Sequence, residues 1–333
     1  MELANKYDVH VILSSWMYLH TFWMIDQRIR REFFEELPIE ERFMRMAREQ
    51  DRILQALKEK GLHKRIAYVE ALNESDVLPF MKTESLPEGS SEERSQCGKF
   101  RKLHEEAIEF LKDRHPDILF ALDTCTAIPK LEILPRNVQV WSLHSYYSWW
   151  PVYREFEGNL LGGGTDLDNP AELAPVRRFL KERLSRLEDV KRSAGCDPEI
   201  LEDWHRRIWL YSNVDPKRLP ELDALLSESL EKNYGLCKQR IDERFAKAVE
   251  SRNALFPGAP LVLGEGASYC CHLGLRWEER SDRYWELVDY AAGVVKQLGF
   301  WGCMPLTHSG PEDARWLSCP ERLAHANKIF MAD

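Results

Sequence analysis

The sequence predicts an α/β fold in which a parallel sheet is covered by helices. Two observations carry this prediction. Short apolar runs suited to buried strands recur along the chain without strict polar alternation, and stretches with helical spacing separate them. The 333 residues contain no internal repeat and no disordered linker long enough to divide them, so a single domain over 1–333 is expected. An α/β barrel reaches this length as one unit.

The elements follow in order. Tyr7–Leu13 (YDVHVIL) opens as a strand and runs into an aromatic loop, SSWMYLHTFW. Pro38 stands at a first helical position, Phe43, Met46, Ala47, Gln50, Leu54 and Leu57 follow at helical spacing, and Gly61 is the expected C-cap. Ile66–Leu72 gives the second strand, and the polar loop Glu84–Ser95 leads to a helix over Arg101–Arg114. Ile118–Leu122 and Val138–Leu143 give the third and fourth strands. An aromatic and glycine-rich excursion, Ser145–Asp168, precedes helical sequence that reaches about Ser251. Leu261–Gly264 is the fifth strand, Asp282–Leu298 a helix, Phe300–Met304 the sixth strand and Glu321–Phe330 the last helix.

Composition narrows the partners. The net charge is −9 and no basic block of five or six residues exists, which argues against nucleic acid and anionic membranes. Val9–Ile25 is apolar, but Glu2, Lys6 and Asp8 precede it where a signal peptide has a positive region, and His and Ser/Thr interrupt it. The eight cysteines form no Cys-x-x-Cys pair, so they read as free thiols in a reducing compartment, and a cytoplasmic location is expected. Eleven Trp residues are more than packing requires, and surplus indoles make flat platforms for sugar rings.

In parallel α/β folds the chemistry gathers at the C-terminal ends of the strands. The residues there are Ser14, Ser15 and Trp16; Asn73 and Glu74; Asp123; His144, Tyr146 and Tyr147; Glu265; and His308. Carboxylates with stacking aromatics on one rim suit glycoside hydrolysis, in which one acid protonates the leaving oxygen while the other attacks the anomeric carbon. Glu265 lies between two glycines, which permit close backbone approach. Glu70 shares strand parity with Glu74 and is expected inside the barrel as a buried structural partner. Asp123 reads as a capping or hydrogen-bonding residue. Trp16, Trp149 and Trp150 are candidates for ligand contact or for loop packing. The run Gly158–Asp166 lacks the Gly-Lys-Ser/Thr ending of a phosphate loop and reads as a mobile cleft loop. Cys270, Cys271 and His272 have no further ligand at metal spacing.

Four motifs carry a resemblance: EALNE (Glu70–Glu74), SLHSYY (Ser142–Tyr147), VLGEG (Val262–Gly266) and GFWGCMP (Gly299–Pro305). In this order, at successive strand ends, the chain resembles the retaining β-glycosidases of glycoside hydrolase clan A, and within it the cellulase-like proteins. The resemblance implies a (β/α)8 TIM-barrel type fold, N-terminally incomplete, with about six parallel strands corresponding to barrel strands 3 to 8. It implies Glu74 as acid/base, Glu265 as nucleophile and Asn73 as the partner of the substrate's 2-hydroxyl. His144 and Tyr146 would orient and tune Glu265, and Trp301 would stack on the sugar. It implies a carbohydrate substrate and no cofactor or metal. No residue matches the clan's Arg from strand 2, and the open sheet edge offers a surface for association. Two rivals follow: a carbohydrate-binding protein with impaired catalysis, and a metal-dependent hydrolase on the same fold.

Overall fold

The structure is a computed structural model that describes residues 1–15, 37–75, 87–125, 132–158, 167, 169–189, 206, 209–267, 275–306 and 315–332. Trp16, His308, Cys270, Cys271, His272 and most of the 158–166 run lie outside the described residues.

Six strands form one parallel sheet in chain order, the arrangement of an incomplete (β/α)8 barrel: β1 (Val11–Ser14), β2 (Ile66–Glu70), β3 (Phe120–Thr124), β4 (Val140–Ser145), β5 (Leu261–Gly266) and β6 (Gly302–Cys303). The predicted strand count and order hold. The boundaries shift by a few residues: β1, β3, β4 and β6 start two to four residues later than read, β2 ends two residues earlier and β5 two residues later. A short helix, α1 (Glu2–Lys6), precedes β1, and Tyr7 and Val9, read as strand, are exposed beside it.

The chain divides into two compact units, Met1–His144 with Lys247–Gly264, and Ser145–Ala246 with Glu265–Asp333, the division passing through β4 and β5. In the first unit, α2 (Ile39–Glu59) follows Pro38 and ends before Gly61, whose φ of +67° favours glycine. Its partner α3 (Ser91–Arg114) starts ten residues before the sequence-predicted Arg101. Ser90 Oγ accepts the Glu93 N–H at 3.0 Å while the Glu93 carboxylate accepts the Gly89 N–H, a capping arrangement hidden in the polar run. Tyr68, Ala121, Val140 and Val262 from β2 to β5 pack into one buried cluster. Trp141 is fully buried, donates its indole N–H to Thr124 Oγ1 at 2.9 Å and meets Phe256 edge-on.

In the second unit, the excursion after β4 contains α4 (Trp149–Glu157), and α5 (Pro170–Leu173) follows with Asn169 as its N-cap. The long α6 (Leu219–Leu255) buries Leu222, Leu226, Leu230 and Cys237 at helical spacing and crosses the division between the units near its end. After α7 (Trp277–Arg280), α8 (Asp282–Gln297) packs on α10 (Pro320–Met331), with the short α9 (Arg315–Ser318) between them in sequence. Arg315, fully buried, binds Glu278 Oε2 at 2.9 Å and the Tyr284 hydroxyl at 3.1 Å. No described helix is long and apolar enough to cross a membrane. Cys97, Cys125, Cys237, Cys303 and Cys319 are all thiols.

Candidate active site

β2 stops at Glu70, two bent residues follow, and the chain turns at Asn73–Glu74. The turn is tied to β1. The Asn73 N–H donates to Ser15 O at 2.8 Å, the Ser15 N–H to Glu70 O at 3.3 Å, and Ser14 Oγ to Asn73 Oδ1 at 3.4 Å. Gln50 of α2 reaches under the same point, donating to Glu70 O at 3.0 Å and to Ser15 Oγ. Asn73 is buried by these contacts.

Glu74 has a left-handed backbone, φ +45°. For a residue with a Cβ this costs about 1–3 kcal/mol and persists only where the surroundings impose it. Asp123, at the end of β3, imposes it: its Oδ2 accepts the Glu74 N–H at 3.0 Å, and its backbone oxygen accepts from Ser75 Oγ at 3.3 Å. The Glu74 side chain meets His144 from β4, with Nδ1 at 2.8 Å from Oε1. The other ring nitrogen, Nε2, lies 3.1 Å from Asp123 Oδ1. The resemblance gave His144 the task of tuning Glu265; its two ring nitrogens also lie beside Glu74 and Asp123. Asp123 is the residue whose weight the sequence understated. Its position in ALDT, at a strand end, was the available signal.

Glu70 is buried, as expected, but the parity argument that placed it beside Glu74 does not extend past the end of the strand. One oxygen of Glu70, one of Asp123 and a ring nitrogen of His144 lie within 4.8 Å of one another, close enough to share a metal ion. Burial pushes the Asp123 carboxyl well above the usual carboxylate range, and the Glu70 and Glu74 charges push the same way against the opposing pull of His144. Gly264 of β5 closes the back of this group: a Cβ there would stand 2.2 Å from Ser142 Oγ and 3.2 Å from the His144 ring.

In the second unit, Glu265 lies on β5 and is half-buried. The Tyr146 hydroxyl donates to Glu265 Oε2 at 2.5 Å, a bond that favours the ionised carboxylate. This is the partnership the resemblance implied. The next two residues hold the strand end in place. Gly266 runs so close to Pro305 that a Cβ would be 2.6 Å from its carbonyl oxygen, and Ala267 is buried at φ +56°. Trp149 and Trp150 open α4 in edge-to-face contact, centroids 6.1 Å apart, Trp150 being 40% exposed. Trp301 stands just before β6 with 53% of its surface exposed.

No family model and no curated protein matches the sequence. Among solved structures, the chain is similar to a "putative glycoside hydrolase" from Parabacteroides distasonis, with a TM-score of 0.51 and 16% identity over 99% of this chain and 71% of that one. At that identity the likeness is one of fold.

Proposed function

We propose that the protein is a retaining β-glycosidase with Glu74 as acid/base and Glu265 as nucleophile. One observation carries the reading. Two carboxylates stand at C-terminal strand ends of a parallel, incomplete barrel, and each is held by a polar side chain from just before or beyond the end of β4: His144 on Glu74, Tyr146 on Glu265. The fold likeness to a protein described as a glycoside hydrolase supports the same class. Asn73, Trp301 and Trp149 are the proposed sugar contacts, with Trp16 from the sequence.

In this mechanism the Tyr146 hydroxyl keeps Glu265 ionised for attack on the anomeric carbon, while protonated Glu74 gives its proton to the departing oxygen. With the charge of Glu265 consumed in the glycosyl-enzyme, Glu74 acts as base toward water. Hydrolysis of aryl β-glycosides, with the anomeric form of the first product followed by NMR, tests the reading. The β-anomer is expected. Glu265→Ala should be inactive, and azide should rescue it to an α-glycosyl azide; a β-product from the rescued variant removes Glu265 as nucleophile.

A second reading, glycan binding without turnover, is favoured by the strand count. The sheet has six strands among the described residues where a closed barrel has eight, and no arginine matches the one the clan places near its nucleophile. Glycan binding by a native protein that hydrolyses none of the aryl glycosides would select it.

A further inference from the structure

Three buried side chains on neighbouring strands converge within the first unit: Glu70 from the end of β2, Asp123 from β3 and His144 from β4. Asp123 Oδ1 stands 3.1 Å from His144 Nε2, yet it has no hydrogen-bond partner among the described residues. Asp123 is 0% exposed, so bulk water does not reach that oxygen. Two buried hydroxyls share its condition. The Tyr68 hydroxyl, two residues before Glu70 on the same face of β2, and Ser142 Oγ, two residues before His144 on the same face of β4, also lack a partner among the described residues. Tyr68 is near enough to Glu70 and Asp123 to feel the charge of both. Native interiors leave few polar atoms unsatisfied, and several gathered in one place mark the seat of an ordered water or an ion.

Charge and geometry favour the ion. Glu70 and Asp123 are both buried, and among the described residues neither pairs with a Lys or Arg; His144 is the basic group beside Asp123. Buried carboxylates are held by pairing or by a metal, and a water brings no charge. Bonds from a divalent first-row ion to imidazole and carboxylate are about 2.1 Å long. Two such ligands 3.1 Å apart subtend about 95° at the ion, near the right angle between neighbours in an octahedral site. Ligands on opposite sides of an ion are about 4.2 Å apart, so a set within 4.8 Å closes by a movement of less than about 1 Å.

The contacts around the three donors are those that surround a metal centre. His144 Nδ1 lies 2.8 Å from Glu74 Oε1, the kind of carboxylate contact that orients a metal-bound ring. Asp123 accepts the Glu74 N–H on Oδ2 at 3.0 Å, which steadies the carboxylate and leaves Oδ1 as a single ligand atom.

We propose that Glu70, Asp123 Oδ1 and His144 Nε2 bind one divalent first-row transition-metal ion, which clasps β2, β3 and β4 together at their C-terminal ends. One imidazole with two carboxylates suits Mn²⁺, Fe²⁺ or Zn²⁺, whereas Mg²⁺ and Ca²⁺ take oxygen ligands. The resemblance implies no metal; the donors are read from the strand ends alone. The proposal goes beyond the glycosidase reading, since neither Glu74 nor Glu265 is a ligand.

The test is calorimetric titration of the full chain, stripped with chelator and dialysed, with Zn²⁺ and with Mn²⁺. One zinc site per chain with a dissociation constant of about 10 µM or tighter is expected, and binding of Mg²⁺ and Ca²⁺ at least about 100-fold weaker. Zinc at 100 times its dissociation constant should raise the thermal midpoint by at least about 3 °C. Glu70→Gln and Asp123→Asn keep the shape and remove a charged ligand, and each should weaken zinc binding at least about 30-fold. Glu265→Gln should leave it within about threefold. In native protein, nitrogen-15 NMR should show the His144 Nε2 resonance moving on zinc addition far more than Nδ1, a readout that needs no variant to fold.

Native protein that binds neither ion as tightly as about 10 µM overturns the proposal and gives the unsatisfied oxygens to water. So does a zinc-induced shift centred on Nδ1, an unchanged affinity in both ligand variants, or a loss with Glu265→Gln as large as with Glu70→Gln. None of these readouts uses turnover, so protein that hydrolyses no glycoside removes the glycosidase reading and leaves this one to be decided by the titration.

Discussion

Adding one methyl group at Gly264 should damage the candidate site more than the fold. The new Cβ would stand 2.2 Å from Ser142 Oγ and 3.2 Å from His144 Cδ2 and Nε2. Carbon–oxygen contacts settle near about 3.3–3.6 Å, so the hydroxyl must retreat by roughly 1 Å and the imidazole by a few tenths. Both neighbours are side-chain atoms, and a serine hydroxyl escapes by changing rotamer. At Gly266 the obstruction is backbone, Pro305 O at 2.6 Å and Pro305 C at 2.8 Å, and escape requires moving the chain. Overpacking costs about 1–3 kcal/mol. Gly264→Ala belongs near the lower figure and Gly266→Ala at or beyond the upper one. At about 2–4 °C per kcal/mol, calorimetry should give thermal midpoints lowered by about 2–4 °C and about 6–12 °C. Gly264→Ala should nevertheless lower aryl glycoside turnover at least about tenfold, because the displaced ring carries the 2.8 Å contact to Glu74. Ser142→Ala removes the 2.2 Å contact and should restore about 1 kcal/mol to Gly264→Ala. Simple additivity of these two substitutions, or a larger loss at 264 than at 266, would refute the steric account.

Three further outcomes are expected. His104 is fully buried beside Phe43, its pKa pushed down to about 3 from 6.5 by desolvation. The unfolded chain therefore takes up this proton first; the contribution is complete above pH 6.5 and is lost as pH falls toward 3. Urea unfolding should cost the native protein about 2 kcal/mol more between pH 7 and 5 than it costs His104→Leu, and parallel losses would remove His104 as the cause. Arg315→Met strands the Glu278 carboxylate in the interior and should cost about 3–5 kcal/mol, most of which Arg315→Met/Glu278→Leu recovers; a double variant no better than the single one would show that packing dominates. Replacing Trp149 and Trp150 by Ala should weaken glycan binding, measured by calorimetric titration, more than it lowers the thermal midpoint. The reverse ranking makes them packing residues.

The sheet was legible because its signal is local and repeated. Apolar runs such as Phe120–Leu122 and Leu261–Leu263 are buried on both faces, and burial on both faces is what removes alternation from a parallel strand. Helix starts were less legible. The Ser90–Glu93 cap lies within a run of Gly, Ser and Glu that has the composition of a loop, and only the spacing of Ser90 and Glu93 marks it. The two carboxylates could be named from their strand ends, and the Tyr146 partnership followed from the motif. The partners of His144 could not. They depend on which way the ring faces between two strands, and no spacing in WSLHS encodes that choice. Gln50, read only as a helix-face position, proved to be the residue that ties α2 to the end of β2.

Glu70 and Glu74 show why period-two reasoning fails at this site. A strand sends residues i and i+4 to the same face only while its backbone stays extended. Here extension ends at Glu70, and the next residues bend before Glu74 enters a left-handed conformation at φ +45°. The direction of the Glu74 side chain is thus set by the turn, and the turn is held by a hydrogen bond to Asp123, 49 residues away in sequence. The same Asp123 carboxyl faces the His144 ring that meets the Glu74 carboxylate, so backbone strain and side-chain orientation share one anchor. An Asn-Glu pair at the end of a buried strand is costly in isolation, because a polar pair and a strained backbone must both be satisfied. Ser15 and Ser14 meet the asparagine, and Asp123 and His144 meet the glutamate. Two strands and a turn thus fix one carboxylate at a strand end, which fits the acid/base role proposed for Glu74.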